Sequence, residues 1–124
     1  MKIRNGFVSN SSSSSFIIHI NKPIEKTTYE EFKNWIDPKY INSKYPYCED
    51  IEKGIEQLYE AILNSLQTDI EKYECDYTYE VELGDLCDME HVEEAYNLLN
   101  DFPSIWINND CIKIATKDIV IIEL

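Results

Sequence analysis

Asp76-Tyr77-Thr78-Tyr79-Glu80-Val81-Glu82-Leu83 decides the fold of this chain, because its apolar and polar residues alternate cleanly. Successive strand residues point to opposite faces, so this pattern predicts a strand with Tyr77, Tyr79, Val81 and Leu83 toward a core. Asp76, Thr78, Glu80 and Glu82 then face solvent, and Gly84 ends the strand. Such a half-buried strand belongs to a sheet covered on one side, which calls for helices elsewhere in the sequence.

Those helices lie on both sides of it. Upstream, Ile51, Ile55, Leu58, Tyr59, Ile62, Leu63, Leu66, Ile70 and Tyr73 keep the three-four spacing of one buried stripe, which predicts a helix from about Glu49 to Tyr73. Thr68-Asp69-Ile70-Glu71 has the spacing of a second cap, so a break near residue 67 is an alternative. A shorter helix follows Thr28, whose capping-box partner is Glu31; Phe32, Trp35 and Ile36 line its inner face, and Asp37-Pro38 stops it. Downstream, Asp88 is placed to cap a helix carrying Val92, Ala95, Tyr96 and Leu99 inward, closed by Asp101-Phe102-Pro103.

The ends supply the remaining strands. Phe16-Ile17-Ile18-His19-Ile20 is apolar without alternation, as expected of a strand buried on both faces inside a sheet, and Ser9 to Ser15 before it read as a turn. Ser104 to Ile107, Cys111 to Ala115 and Ile119 to Leu124 form an antiparallel meander, with turns at Asn108-Asn109-Asp110 and Thr116-Lys117-Asp118. Between Pro38 and Pro46, a proline-bounded loop with Tyr40 and Tyr45, and Tyr47 just beyond, is expected to pack. The fold class is therefore α+β: a mostly antiparallel sheet with a C-terminal β-meander and about three helices packed on one face. A single domain over residues 1–124 accommodates all of it.

Charge bounds the function. There are 24 acidic and 11 basic side chains, a formal net charge of -13, which repels DNA, RNA and anionic lipid. Glu71 to Glu94 holds ten acidic residues and only Lys72 as a base. The imbalance points to a basic protein partner, with no direct contact to nucleic acid or membrane. The candidate partner-binding residues are Glu52, Glu56 and Glu60 on the long helix, Glu80 and Glu82 on the strand, and Asp85, Asp88 and Glu90 beyond it. Like charges four apart on a helix each cost a few tenths of a kcal/mol, an arrangement that folding alone does not ask for. On the strand, Glu80 and Glu82 repeat at about 6.8 Å, two residues at about 3.4 Å each, a row of charge suited to a groove built for phosphates.

Catalytic and metal signatures are missing. Cys48, Cys75, Cys87 and Cys111 stand 27, 12 and 24 residues apart, with no CxxC pair and no zinc-ligand spacing. They are expected to be unpaired thiols in a reducing cytoplasm, and no cofactor or metal is expected. The acidic loop at Asp85 to Glu90 lacks the ligand order of a calcium loop. His19 and His91 have no matched nucleophile, and no GxSxG or glycine-rich phosphate loop is present.

The serine run Ser11 to Ser15 is the remaining oddity. As linkers go it is badly placed, with Phe7-Val8 and Phe16 pressing it against apolar structure. Together with Ser9 it is a candidate for modification or for holding an anion through hydroxyls and backbone N–H groups. Arg4-Asn5-Gly6-Phe7-Val8-Ser9-Asn10-Ser11-Ser12-Ser13-Ser14-Ser15-Phe16 resembles an N-terminal signature shared by many small, otherwise dissimilar proteins of bacteriophages and their bacterial hosts. The resemblance covers about a tenth of the chain and implies a phage or prophage setting without implying a chemistry. Joined to the charge, it leads to the expectation of a protein that docks on a basic host protein, a nucleic-acid-binding defence component or nuclease, and inhibits it. Two other classes remain open, a protein regulated by modification of the serine run and a small enzyme or nucleotide-binding domain that uses it.

Overall fold

A computed structural model describes residues 13–36, 41, 48–68, 77–84 and 92–124. Six strands, β1 (Ser13–Ile20), β2 (Leu66–Thr68), β3 (Tyr77–Gly84), β4 (Ile105–Ile107), β5 (Asp110–Ala115) and β6 (Ile119–Glu123), form one sheet in the order β2-β3-β1-β6-β5-β4. Every neighbouring pair is antiparallel. Helices α1 (Tyr29–Trp35), α2 (Ile51–Leu63) and α3 (Glu93–Asp101) share one core with one face of this sheet. The α+β class and the C-terminal meander β4-β5-β6 are as the sequence predicts.

Strand β1 is central, paired with β3 on one side and β6 on the other. Phe16, Ile18 and Ile20 enter the helix-side core with Tyr79, Val81 and Leu83 of β3 and Ile119 and Ile121 of β6. Ile17 joins Ile112, Val120 and Ile122 in a second buried cluster, because alternate residues take the opposite face. Continuous apolar sequence in β1 thus reflects burial on both sides. The strand also begins earlier than its apolar run: Ser13, Ser14 and Ser15 pair with Gly84, Leu83 and Glu82, so the last three serines are ladder residues and not a turn.

Helix α1 starts at a complete capping box, in which the Glu31 N–H donates to Thr28 Oγ1 at 3.1 Å and the Thr28 N–H donates to Glu31 Oε1 at 3.0 Å. Phe32 is fully buried and stands edge-on or tilted to Trp35 and Tyr59, with ring centroids 6.1 and 5.5 Å away. Asp50 caps α2 by accepting the Lys53 N–H at 3.1 Å, and Ile55, Leu58 and Ile62 turn toward the core.

The predicted long helix to Tyr73 is corrected: α2 ends at Leu63. Its last carbonyls are taken by side chains, Asn64 Nδ2 donating to Glu60 O at 3.0 Å and Ser65 Oγ to Ile62 O at 2.7 Å. Leu66–Thr68 then leaves the helix to pair with Glu80, Tyr79 and Thr78 as the edge strand β2, so sheet hydrogen bonds override the helical spacing of Leu66. Ile70 and Tyr73 lie outside the described residues, as does the Tyr40, Tyr45 and Tyr47 loop. The expected cap at Asp88 is corrected: α3 begins at Glu93, with Val92 in the N-cap position and no side-chain cap hydrogen bond.

Helices α2 and α3 pack against each other at Gly54, where a Cβ would meet Glu94 O at 2.9 Å and Leu98 Cβ and Cys48 Sγ at 3.1 Å. The β4–β5 turn is Asn108-Asn109, with φ of 51° and 71°. Two left-handed residues define the tight hairpin turn that matches strand twist, and asparagine tolerates this region better than most side chains.

Candidate interaction site

Alternation along β3 holds from Tyr79 to Leu83. Tyr79, Val81 and Leu83 are buried, Glu80 and Glu82 are exposed, and Thr78 departs from the pattern by being buried. The reason is His19 on β1, whose Nδ1 lies 2.9 Å from Thr78 Oγ1 directly across the ladder. Both side chains are buried, which makes the pair an internal polar contact.

The candidate acidic residues do not form one surface. Glu80 and Glu82 project from the sheet face opposite to Tyr79, Val81 and Leu83, and so away from the helices. Glu52, Glu56 and Glu60 are exposed along α2, which packs on the helix side. The sheet and the helix layer therefore separate the two rows. Asp85, Asp88 and Glu90, expected to extend the strand row, lie outside the described residues.

The helix row is partly compensated. Lys33 Nζ donates to Glu52 Oε2 at 3.1 Å, and this bond raises the Lys33 pKa. Tyr29 donates its hydroxyl to Glu52 O at 3.3 Å; burial first and then the Glu52 charge push its pKa up. With Asp50, Lys53 and Glu56 these two residues line a shallow groove of about 360 Å³ between α1 and α2. Among the described residues, the ladder neighbours of Glu80 are Ile17 and Leu66 and that of Glu82 is Ser15, none of them charged.

Of the serine candidates, Ser14 and Ser15 are half-buried strand residues and Ser13 is the first residue of β1. Extended backbone does not make the concave array of N–H groups that holds an anion. Ser9, Ser11 and Ser12 lie outside the described residues.

Cys48 is buried, its Sγ 3.2 Å from Asp50 O and 3.3 Å from Glu94 Oε1, two acceptors for its one proton. Burial, with help from the Glu94 hydrogen bond and charge, pushes its pKa up to about 12, so it is a poor nucleophile. Cys48 and Cys111 are free thiols, while Cys75, Cys87 and His91 lie outside the described residues. Among the described residues no three metal-ligating side chains converge, and no helix is long and apolar enough to cross a membrane.

Two features escape sequence reading. Lys113 is buried, its ammonium 3.0 Å from Ser104 Oγ and 3.7 Å from Glu123 Oε1, because a register shift between Ile112 and Ile114 re-aims it. Strand β4 carries its apolar residues in the open: Ile105, Trp106 and Ile107 are 44%, 69% and 45% exposed. Comparison of the chain with protein-family models, curated proteins and solved structures finds no match.

Proposed function

We propose that this chain is a small acidic protein of phage or prophage type that binds a basic host protein and blocks it. The target class is a nucleic-acid-binding protein of the host cytoplasm, a nuclease or another defence component, whose phosphate groove accepts the carboxylates of Glu80 and Glu82. The observation that carries this reading is the exposure of those two carboxylates on a strand whose alternate residues are buried, so the row is presented by a rigid element and costs little ordering on binding. The net charge of -13 accelerates encounter with a cationic surface. Glu52, Glu56 and Glu60 contribute to that long-range field from the other side of the molecule and not to the contact itself.

The test is affinity capture from bacterial lysate on the immobilised protein and, in parallel, on its Glu80→Gln/Glu82→Gln variant, with elution by a salt gradient. A DNA- or RNA-binding protein retained by the first and lost early from the second is the expected result. Equal retention by both rules out the strand row, and retention of no basic protein rules out the function.

A further inference from the structure

We propose that the free edge of β4 is a self-association surface, and that two copies of the chain join there, antiparallel, about a twofold axis at Trp106. Proteins ordinarily protect sheet edges with charge, proline or cover. Here the edge residues Ile105, Trp106 and Ile107 are all apolar and exposed, and residues 103–109 contain no charged side chain in a chain with 28% charged residues.

Backbone geometry selects the register. Asn108-Asn109 is a two-residue turn, so the flanking Ile107 and Asp110 exchange hydrogen bonds, and the next pair, Trp106 and Cys111, does not. The N–H and C=O of Trp106 therefore point away from β5, toward the open edge. A twofold axis at Trp106 sets these groups against their copies, forming a pair of Trp106-to-Trp106 backbone hydrogen bonds. Ile105 of each copy then faces Ile107 of the other. The cross-strand partners of β4 place Trp106 on the helix side of the sheet and the two isoleucines on the other, so apolar meets apolar on both faces.

Charge chooses the occupant. A basic partner strand finds nothing to pair with in residues 103–109, whereas a second copy meets a matching uncharged strip. The cost is long-range repulsion between two molecules of charge -13, which salt screens. A contact made by three side chains per copy is small beside the about 800 Å² per partner of a standard interface, so the dimer is weak and reversible. This inference is independent of the proposed target.

Sedimentation equilibrium of the full chain from micromolar to millimolar, at low and high sodium chloride, tests it. Dimer is expected at the upper concentrations and in greater amount at high salt. Trp106→Lys and Ile107→Lys, both at exposed positions and checked for folding by circular dichroism, should weaken it at least tenfold, while Leu63→Lys, exposed on α2, should not. In a Trp35→Phe background, Trp106 emission should shift to the blue as dimer forms. A monomer throughout, a dimer that survives Trp106→Lys, or one that weakens with salt overturns the proposal. So does a monomeric chain whose Trp106 emission responds only to a synthetic valine-rich peptide flanked by lysines, which gives the edge to a partner strand.

Discussion

The backbone N–H of Cys48 donates to Asp101 Oδ2 at 2.9 Å, tying the segment that enters α2 to the last residue of α3. Asp101 is 1% exposed, and its carboxylate is one of the few buried charged groups among the described residues. Asp101→Ala leaves a buried N–H without that acceptor, a loss of about 1–3 kcal/mol, while Asp101→Asn keeps an acceptor oxygen and should lose less. Urea unfolding monitored by circular dichroism should show a lower midpoint with an unchanged slope for both, larger for alanine. Equal midpoints for wild type and Asp101→Ala would show that the bond does not hold the two segments together.

Gly54 allows α2 and α3 to meet. In an isolated helix, replacing glycine by alanine gains about 0.5–1 kcal/mol. Here the added methyl lies 2.9 Å from the Glu94 carbonyl, a backbone atom that cannot swing aside. Gly54→Ala should therefore destabilise, by about 1–3 kcal/mol as overpacked sites do. A stabilised variant in thermal or urea unfolding would mean that the helices separate at little cost.

Much of this architecture was legible because burial follows local periodicity. The alternation from Tyr79 to Leu83, the capping box at Thr28 and Glu31, and a turn at Asn108-Asn109 each carry their own geometric signal and recur in the fold, whereas Asp110, expected in that turn, opens β5. Leu66 keeps helical spacing and yet lies in a strand, because spacing alone does not distinguish a helix leucine from a strand leucine; Asn64 and Ser65 closing the helix end decide it. Buried Thr78 was illegible too, since its reason is His19, 59 residues away. The acidic surface was the least legible: a count of carboxylates does not reveal that the sheet stands between Glu80 and Glu56.

Cys48 should resist thiol reagents in the folded protein. Its pKa moves from 9.0 to about 12, so near pH 8 its thiolate fraction is about a thousandfold lower than that of an open cysteine. Peptide mapping after brief alkylation should find Cys48 unmodified until denaturant is added; rapid native labelling would contradict its burial. The pH dependence follows from the same shift. The folded state keeps the proton that the unfolded state gives up, so this stabilising effect is complete below about pH 9 and lost as pH rises toward about 12.

The Glu80→Gln/Glu82→Gln variant separates folding from recognition. Both side chains are exposed and glutamine keeps nearly the same shape, so stability should change by no more than about 0.5 kcal/mol, as at ordinary surface sites. Removing two of the charges in a rigid row acts on encounter instead. Association with the basic protein recovered from host lysate should slow, and its dependence on salt should flatten, because less steering charge remains to be screened. Glu52→Gln/Glu56→Gln removes the same charge from the other side of the sheet and serves as the control. If Glu80 and Glu82 touch the partner, the strand variant should also dissociate faster while the helix variant changes only the association rate. Stopped-flow measurement of both rates decides it: identical behaviour of the two variants would reduce the strand row to a share of the net charge, and unchanged rates in both would remove the acidic-face mechanism while leaving the fold as described.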